Sequence, residues 1–240
     1  MGFIQFERQK RVGVMTMNYK GENRFHPDFL SEMMQCLDAA EHDPEIGALV
    51  VTGADPKFFS NGLDLDYLVA HVSDTEAILQ YLKSVNAMFR RWTLYPKPTV
   101  AALNGHTFAA GLFMAAHMDF RFMREDRGWI CLPEVDINIP LLPGMIAICQ
   151  ATMSASGFRR MYYTASRLTG PEALGIGFVE GVLPLEKLLP ACVEFAERLA
   201  GKKPATYAEM KRRIREDIAR ILEEEDPRHF QKTLSFSVAG

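Results

Sequence analysis

Cysteine is scarce and scattered: Cys36, Cys131, Cys149 and Cys192 are the only four in 240 residues, and no two form a C-x-x-C pair. Zinc ribbons and dithiol redox sites need such pairs, and a chain of this length buries roughly 70% of its surface without disulfide staples. Reduced thiols in the core are the expectation. Histidine is equally thin. His26, His42, His71, His106, His117 and His229 include no H-x-x-x-H or H-x-x-E-H pair, so no metal site is expected. Excess positive charge is missing too. Lys and Arg number 27 against 30 Asp and Glu, and a net charge of −3 offers no basic face to displace counterions from nucleic acid. Clean apolar runs are absent. The stretches 100–118 and 137–153 are interrupted by Asn104 and His106, and by Asn138, Pro140, Pro143 and Gln150, short of the ~20 residues a membrane span requires. The opening residues Met1–Phe6 carry no secretory signal pattern and Ser237–Gly240 is no Ser-Lys-Leu address, which makes cytoplasmic the expected location. No G-x-x-x-x-G-K-S/T loop and no G-x-S-x-G elbow occurs, which sets aside P-loop and serine-elbow chemistry. The glycines of Gly175–Gly181 are misplaced for a dinucleotide fingerprint and read as a turn.

What is present is an ordinary globular balance, 48% hydrophobic and 24% charged, suited to one large domain with a tail. Arg11–Met17 is the first strand expected. Pro27 opens a helix in which Leu30, Met33, Met34, Leu37 and Ala40 recur at helical spacing until Asp43–Pro44 stops it. Apolar runs at 47–53 and 99–104 predict strands buried on both faces, a charged helix fills 75–93, a small-residue helix covers 109–117, and 118–123 alternates like a strand. This recurrence predicts an α/β fold with parallel pairing. Beyond about 184 the pattern is helical. Tyr207, Met210, Ile214, Ile218, Ile221 and Leu222 form one stripe of an amphipathic helix over 206–226.

Two strand-to-helix turns stand out, Phe58–Leu65 and Asn104–Leu112. Such turns aim backbone N–H groups outward and add the partial positive charge of a helix N-terminus, so two together could hold one oxygen. The first, Phe-Phe-Ser-Asn-Gly-Leu-Asp-Leu, resembles the F-S-x-G-x-D-L/I signature of the enoyl-CoA hydratase/isomerase (crotonase) family. Lys97–Gly105 with Ala109–Gly111 is similar to that family's second signature, Leu132–Ile139 with Leu142–Gly144 to its third, and Arg167–Val179 to a fourth segment. The resemblance runs in order from about residue 10 to 185.

That resemblance implies a crotonase spiral of ββα units over 1–185, and a helical C-terminal region over 186–240 for assembly and for covering the site. It implies an acyl-CoA thioester as substrate, no separate cofactor, and assembly as a homotrimer or a dimer of trimers. The family's two oxyanion donors fall on the backbone N–H groups of Leu63 and Ala110. Of the two glutamates that hydratases use, the first position is Phe113 here and the second is Glu134. A single carboxylate beside an apolar pocket suits a proton shuttle, as in the 3,2-trans-enoyl-CoA isomerases that this pattern resembles. Apolar walls such as Phe113, Leu132 and Ile137 should push the Glu134 pKa upward. Asn61, Gly62 and Asp136 are further candidates beside the substrate, and Asp64 is expected to cap a helix. Arg24, Lys97 and the run Lys211–Arg215 are candidates for the CoA phosphates, the run doubling as a solvated helix face. Other enolate reactions of the family, hydration included, and a non-catalytic acyl-CoA-binding scaffold are the alternatives.

Overall fold

The computed structural model describes residues 2–238, with side chains to Thr233. Chain order begins with β1 (Ile4–Gln9), β2 (Val12–Met17), α1 (Pro27–His42), β3 (Ala48–Gly53), β4 (Phe58–Ser60), α2 (Leu65–Ala70) and α3 (Thr75–Thr93). It continues through β5 (Thr99–Leu103), β6 (His106–Phe108), α4 (Ala110–His117), β7 (Phe120–Arg124), β8 (Ile130–Cys131), α5 (Pro143–Thr152), α6 (Ala155–Thr164) and α7 (Gly170–Gly175). The last elements are β9 (Gly181–Leu183), α8 (Leu185–Ala200), α9 (Pro204–Arg220), a π turn (Ile221–Glu225) and α10 (Asp226–Val238). The first strand is therefore β1, one earlier than expected. Only Ile4 of this edge strand is buried, Gln5–Gln9 being exposed, so its apolar alternation stops after Ile4 and Phe6.

Strand order in the larger sheet is β1-β2-β3-β5-β7-β9, parallel except for the β1–β2 hairpin. Alternate residues serve two cores. Met15, Met17, Leu49, Val51, Ala101 and Leu103 face the helices α1, α3 and α4, whereas Val12, Val14, Ala48, Val50, Val100 and Ala102 face α8. Helix α8 meets the sheet with Leu188, Cys192, Ala196 and Ala200, a four-residue period of mostly small side chains that lets it lie close. Residues 186–200 thus build one layer of the sheet domain.

Helix α9 departs from the expected solvated face. Lys211 Nζ donates to Asp119 Oδ2 at 2.6 Å and to Lys97 O at 2.9 Å, and Arg215 donates to the carbonyls of His117 and Met118. Of that run's cations only Arg212 and Arg213 stay outside, paired with Glu209 and Glu216. Arg121 also donates to Met118 O, at 2.8 Å. The C-terminal end of α4 is thus held by two guanidinium groups, the charge that a helix C-terminus favours.

Candidate active site

A second sheet, β4-β6-β8, is small and fully parallel, and it positions the site. Its strands end side by side at Ser60, Phe108 and Cys131. Two or three residues past those ends stand Leu63, Ala110 and Glu134, so three distant stretches of sequence meet because their strands run together.

The Leu63 turn is held by loop 22–25: Asn61 N donates to Glu22 O at 2.9 Å, Phe25 N to Gly62 O at 2.8 Å, and Ser60 Oγ to Asn23 O at 2.8 Å. Gly62 has φ +81, and a Cβ there would lie 2.9 Å from Ala110 N. Only glycine brings the two turns this close without covering the second donor. Asp64 caps α2 as expected, accepting from Tyr67 N at 3.2 Å.

Ala110 is the first residue of α4, and its N–H has no intrahelical acceptor at that position. No side chain caps the helix. The preceding Ala109 sits at φ 50, ψ −125, a conformation that favours glycine. It is pinned on both sides: its N–H donates to Cys131 O at 3.0 Å, and its carbonyl accepts from Leu112 N at 2.9 Å.

Glu134 lies on the loop after β8 and is 8% exposed. Its Oε2 is buried with no hydrogen-bond partner. Burial without a counter-charge raises the carboxyl from 4.5 to about 7, against a small opposing effect of its own backbone N–H. A cavity of about 230 Å³ brings Glu134 together with Leu63, Ala110, Phe113, Asn61 and Arg24. Glu134 is the one acidic residue in that lining among the described residues. Phe113 is 1% exposed and stacks edge-on with Phe89 at 6.3 Å, an apolar wall next to the donors.

Three expected residues fall elsewhere. Lys97 is not in the cavity lining: its Nζ donates to Ala40 O at 2.7 Å and Asp43 O at 2.8 Å, completing the C-terminus of α1. A helix end with free carbonyls attracts a lysine as well as a phosphate does. Asp136 is exposed beyond the turn closed by its own N–H on Pro133 O, outside the cavity. Leu132 lines a different cavity, also bordered by Glu134. Arg24 remains at the cavity, ion-paired with Glu22 at 2.7 Å and Asp66 at 3.1 Å.

The sequence reading expected the C-terminal region to cover the site but named no residue of the far wall, where Leu82, Met145, Phe230 and Thr233 line the cavity from α3, α5 and α10. Asp226 anchors that last helix. It is fully buried, and its Oδ1 accepts from Gly144 N at 2.8 Å, at the start of α5. Leu222, Asp226 and Phe230 follow at four-residue spacing, a signal that continues past 226.

Among the described residues no group of three or more His, Cys, Asp or Glu side chains could hold a metal ion, and no helix is long and apolar enough to cross a membrane. Parallel strands delivering two helix-turn N–H groups and one carboxylate to a single cavity define a crotonase-type protein. Residues 7–237 match the enoyl-CoA hydratase/isomerase family, and the chain belongs to it. It is similar to enoyl-CoA delta isomerase 2, peroxisomal, of Arabidopsis thaliana, with 34% identity over 224 residues covering 90% of this chain and 93% of that protein. Enoyl-CoA delta isomerase 3 of the same plant is 31% identical over 90% of this chain and 94% of its own. Among solved structures, human mitochondrial delta3-delta2-enoyl-CoA isomerase superposes with a TM-score of 0.90 at 23% identity, covering 98% of this chain and 92% of that one, the same fold.

Proposed function

We propose that this enzyme isomerises 3-enoyl-CoA to 2-trans-enoyl-CoA by a single-glutamate proton shuttle. The observation that carries the reading is that Glu134 is the sole acidic lining residue, among those described, of the cavity that holds the Leu63 and Ala110 N–H groups, with Phe113 where a hydratase would carry its other glutamate. In this reading the Glu134 carboxylate removes a proton from C2 of the thioester. The electron pair moves onto the carbonyl oxygen, where the two N–H groups receive it, each such donor worth about 2.7–4 kcal/mol in a transition state. Protonated Glu134 then returns a proton to C4, and the double bond settles between C2 and C3. A carboxyl near 7 suits both halves of that exchange at neutral pH. Phe113 and its apolar neighbours keep water from the enolate.

No cofactor or metal takes part, coenzyme A being part of the substrate. Arg24 supplies the one cation in the cavity lining among the described residues, and the exposed Asp66 is the partner a CoA phosphate would displace. The chain assembles as a trimer or dimer of trimers, which would cover exposed apolar residues such as Met210 and Ile214 on α9. The reading includes a cytoplasmic location, and a cover for the site built by the helical C-terminal region, of which Phe230 and Thr233 are the wall residues.

The test compares 3-hexenoyl-CoA with crotonyl-CoA as substrates for wild type and Glu134→Gln. Isomerisation by wild type should exceed hydration and vanish in the variant. Faster hydration of crotonyl-CoA would overturn the assignment, and tight binding of both esters without turnover would favour an acyl-CoA-binding scaffold.

A further inference from the structure

Glu134 borders two cavities. Besides the one it shares with the oxyanion donors, it lines a second of about 270 Å³, walled by Val135, Asn138, Tyr162 and Tyr163 together with Leu132. Glu134, Ile139, Pro140 and Leu141 belong to both linings, and Glu134 alone among these four can carry a proton. Its buried Oε2 has no partner inside the protein, so the carboxyl has hydrogen-bonding capacity left over.

The two spaces differ in character. The first is walled mainly by Leu, Phe, Met and Pro, and an acyl thioester would fill it. The second opens to solvent past Val135 and Tyr163, which are 52% and 68% exposed. At roughly 30 Å³ per molecule it has room for several waters, and Tyr162 and Tyr163 in its wall each carry a hydroxyl that ordered water can pair with, beside the Glu134 carboxyl.

We infer that the second cavity is a proton port: with substrate seated in the first, protonated Glu134 exchanges its proton with water through the second. The inference rests on the isomerase reading. Its chemistry balances: the C2 proton moves to the Glu134 carboxylate, one proton leaves for water while another arrives, and the C4 carbon takes the proton that the carboxyl then holds. A carboxyl titrating near 7 releases its proton on the order of 10²–10³ times per second when recombination is diffusion-limited, about the rate of ordinary turnover, so exchange competes with return.

The test runs the isomerisation of 3-hexenoyl-CoA in D₂O and reads deuterium at C4 of the product by mass spectrometry at low conversion. Wild type should place solvent deuterium in a fraction of the product. Val135→Trp, which fills the port, should lower that fraction several-fold with turnover little changed, and Tyr163→Ala, which widens the mouth, should raise it. Tyr163→Trp, on α6, is the second plug should Val135→Trp fail to fold. Equal labelling in all variants, or none in wild type, would overturn the port and leave the isomerase reading standing. Absence of isomerisation by wild type would remove both.

Discussion

Glu134→Gln separates what the carboxylate does for chemistry from what it does to the fold. Its carboxyl rises from 4.5 to about 7 because burial disfavours the charge. At about 1.4 kcal/mol per pH unit between those values, ionising it in the folded protein is about 3 kcal/mol harder than in the unfolded chain. The sign follows from the folded value being the higher one. Below about pH 4.5 both states hold the proton and nothing is lost; as pH rises toward 7 and beyond, the unfolded chain ionises freely while the folded one resists, and native stability falls. Glutamine carries no charge at any pH. The variant should therefore gain on wild type by about 1 kcal/mol at about pH 5 and about 3 kcal/mol at about pH 8, apart from a constant offset for its amide. Urea unfolding of both proteins at three pH values measures this, and other titrating groups such as Asp226 and His117 cancel in the difference. Turnover should meanwhile fall by at least ~10²-fold, and wild-type kcat/KM should rise with pH to a plateau above about 7. A stability difference that stayed flat with pH, or shrank, would refute the reasoning, because it would mean that Glu134 is solvated in the native state.

Other perturbations follow from the same site. Ala109→Gly should raise unfolding stability by about 1 kcal/mol, since φ 50, ψ −125 strains alanine by about 1–3 kcal/mol and glycine returns part of that in chain entropy; a lower melting temperature would contradict it, and kcat should hold because the Ala110 N–H is untouched. Gly62→Ala would set a methyl 2.9 Å from Ala110 N, so kcat should drop about 10²–10³-fold, the usual loss for one oxyanion donor. Retained kcat in that variant would remove Ala110 from the oxyanion hole. Asp226→Ala leaves Gly144 N–H unpaired in the core, destabilising by about 1–3 kcal/mol and raising KM more than it lowers kcat as α10 loosens; steady-state kinetics with unchanged KM would show that the anchor does not shape the cavity.

The two glycine-bearing turns and Glu134 were legible because their chemistry is local: strand, small residues, helix start, and a carboxylate in a short motif. Strands buried on both faces were legible for a similar reason, since Ala48–Val51 and Val100–Leu103 are apolar throughout. Lys97 and Lys211 misled because a cation in sequence does not disclose its partner. One completes a helix C-terminus and the other meets Asp119. The residues of the far wall went unnamed because the stripe was ended at 226, whereas Leu222, Asp226 and Phe230 carry it on at four-residue spacing from the π turn at Ile221–Glu225, where Asn86 Nδ2 donates to Leu222 O. Asp136 illustrates the limit of spacing: two residues from Glu134, it belongs to the outside of the same loop.

The cavity gathers residues from Arg24 to Thr233, nearly the whole chain. At about 5–20 residues per second, a ribosome needs roughly 5–20 s to add the ~100 residues between Glu134 and the last lining residue. During that interval both turns and the carboxylate can exist while the wall completed by Phe230 is still missing. Leu82, Leu141 and Met145 then face water, and the nascent chain carries a sticky groove where the finished protein has its site. Docking of the final helix is therefore the step that closes the apolar wall opposite the two turns.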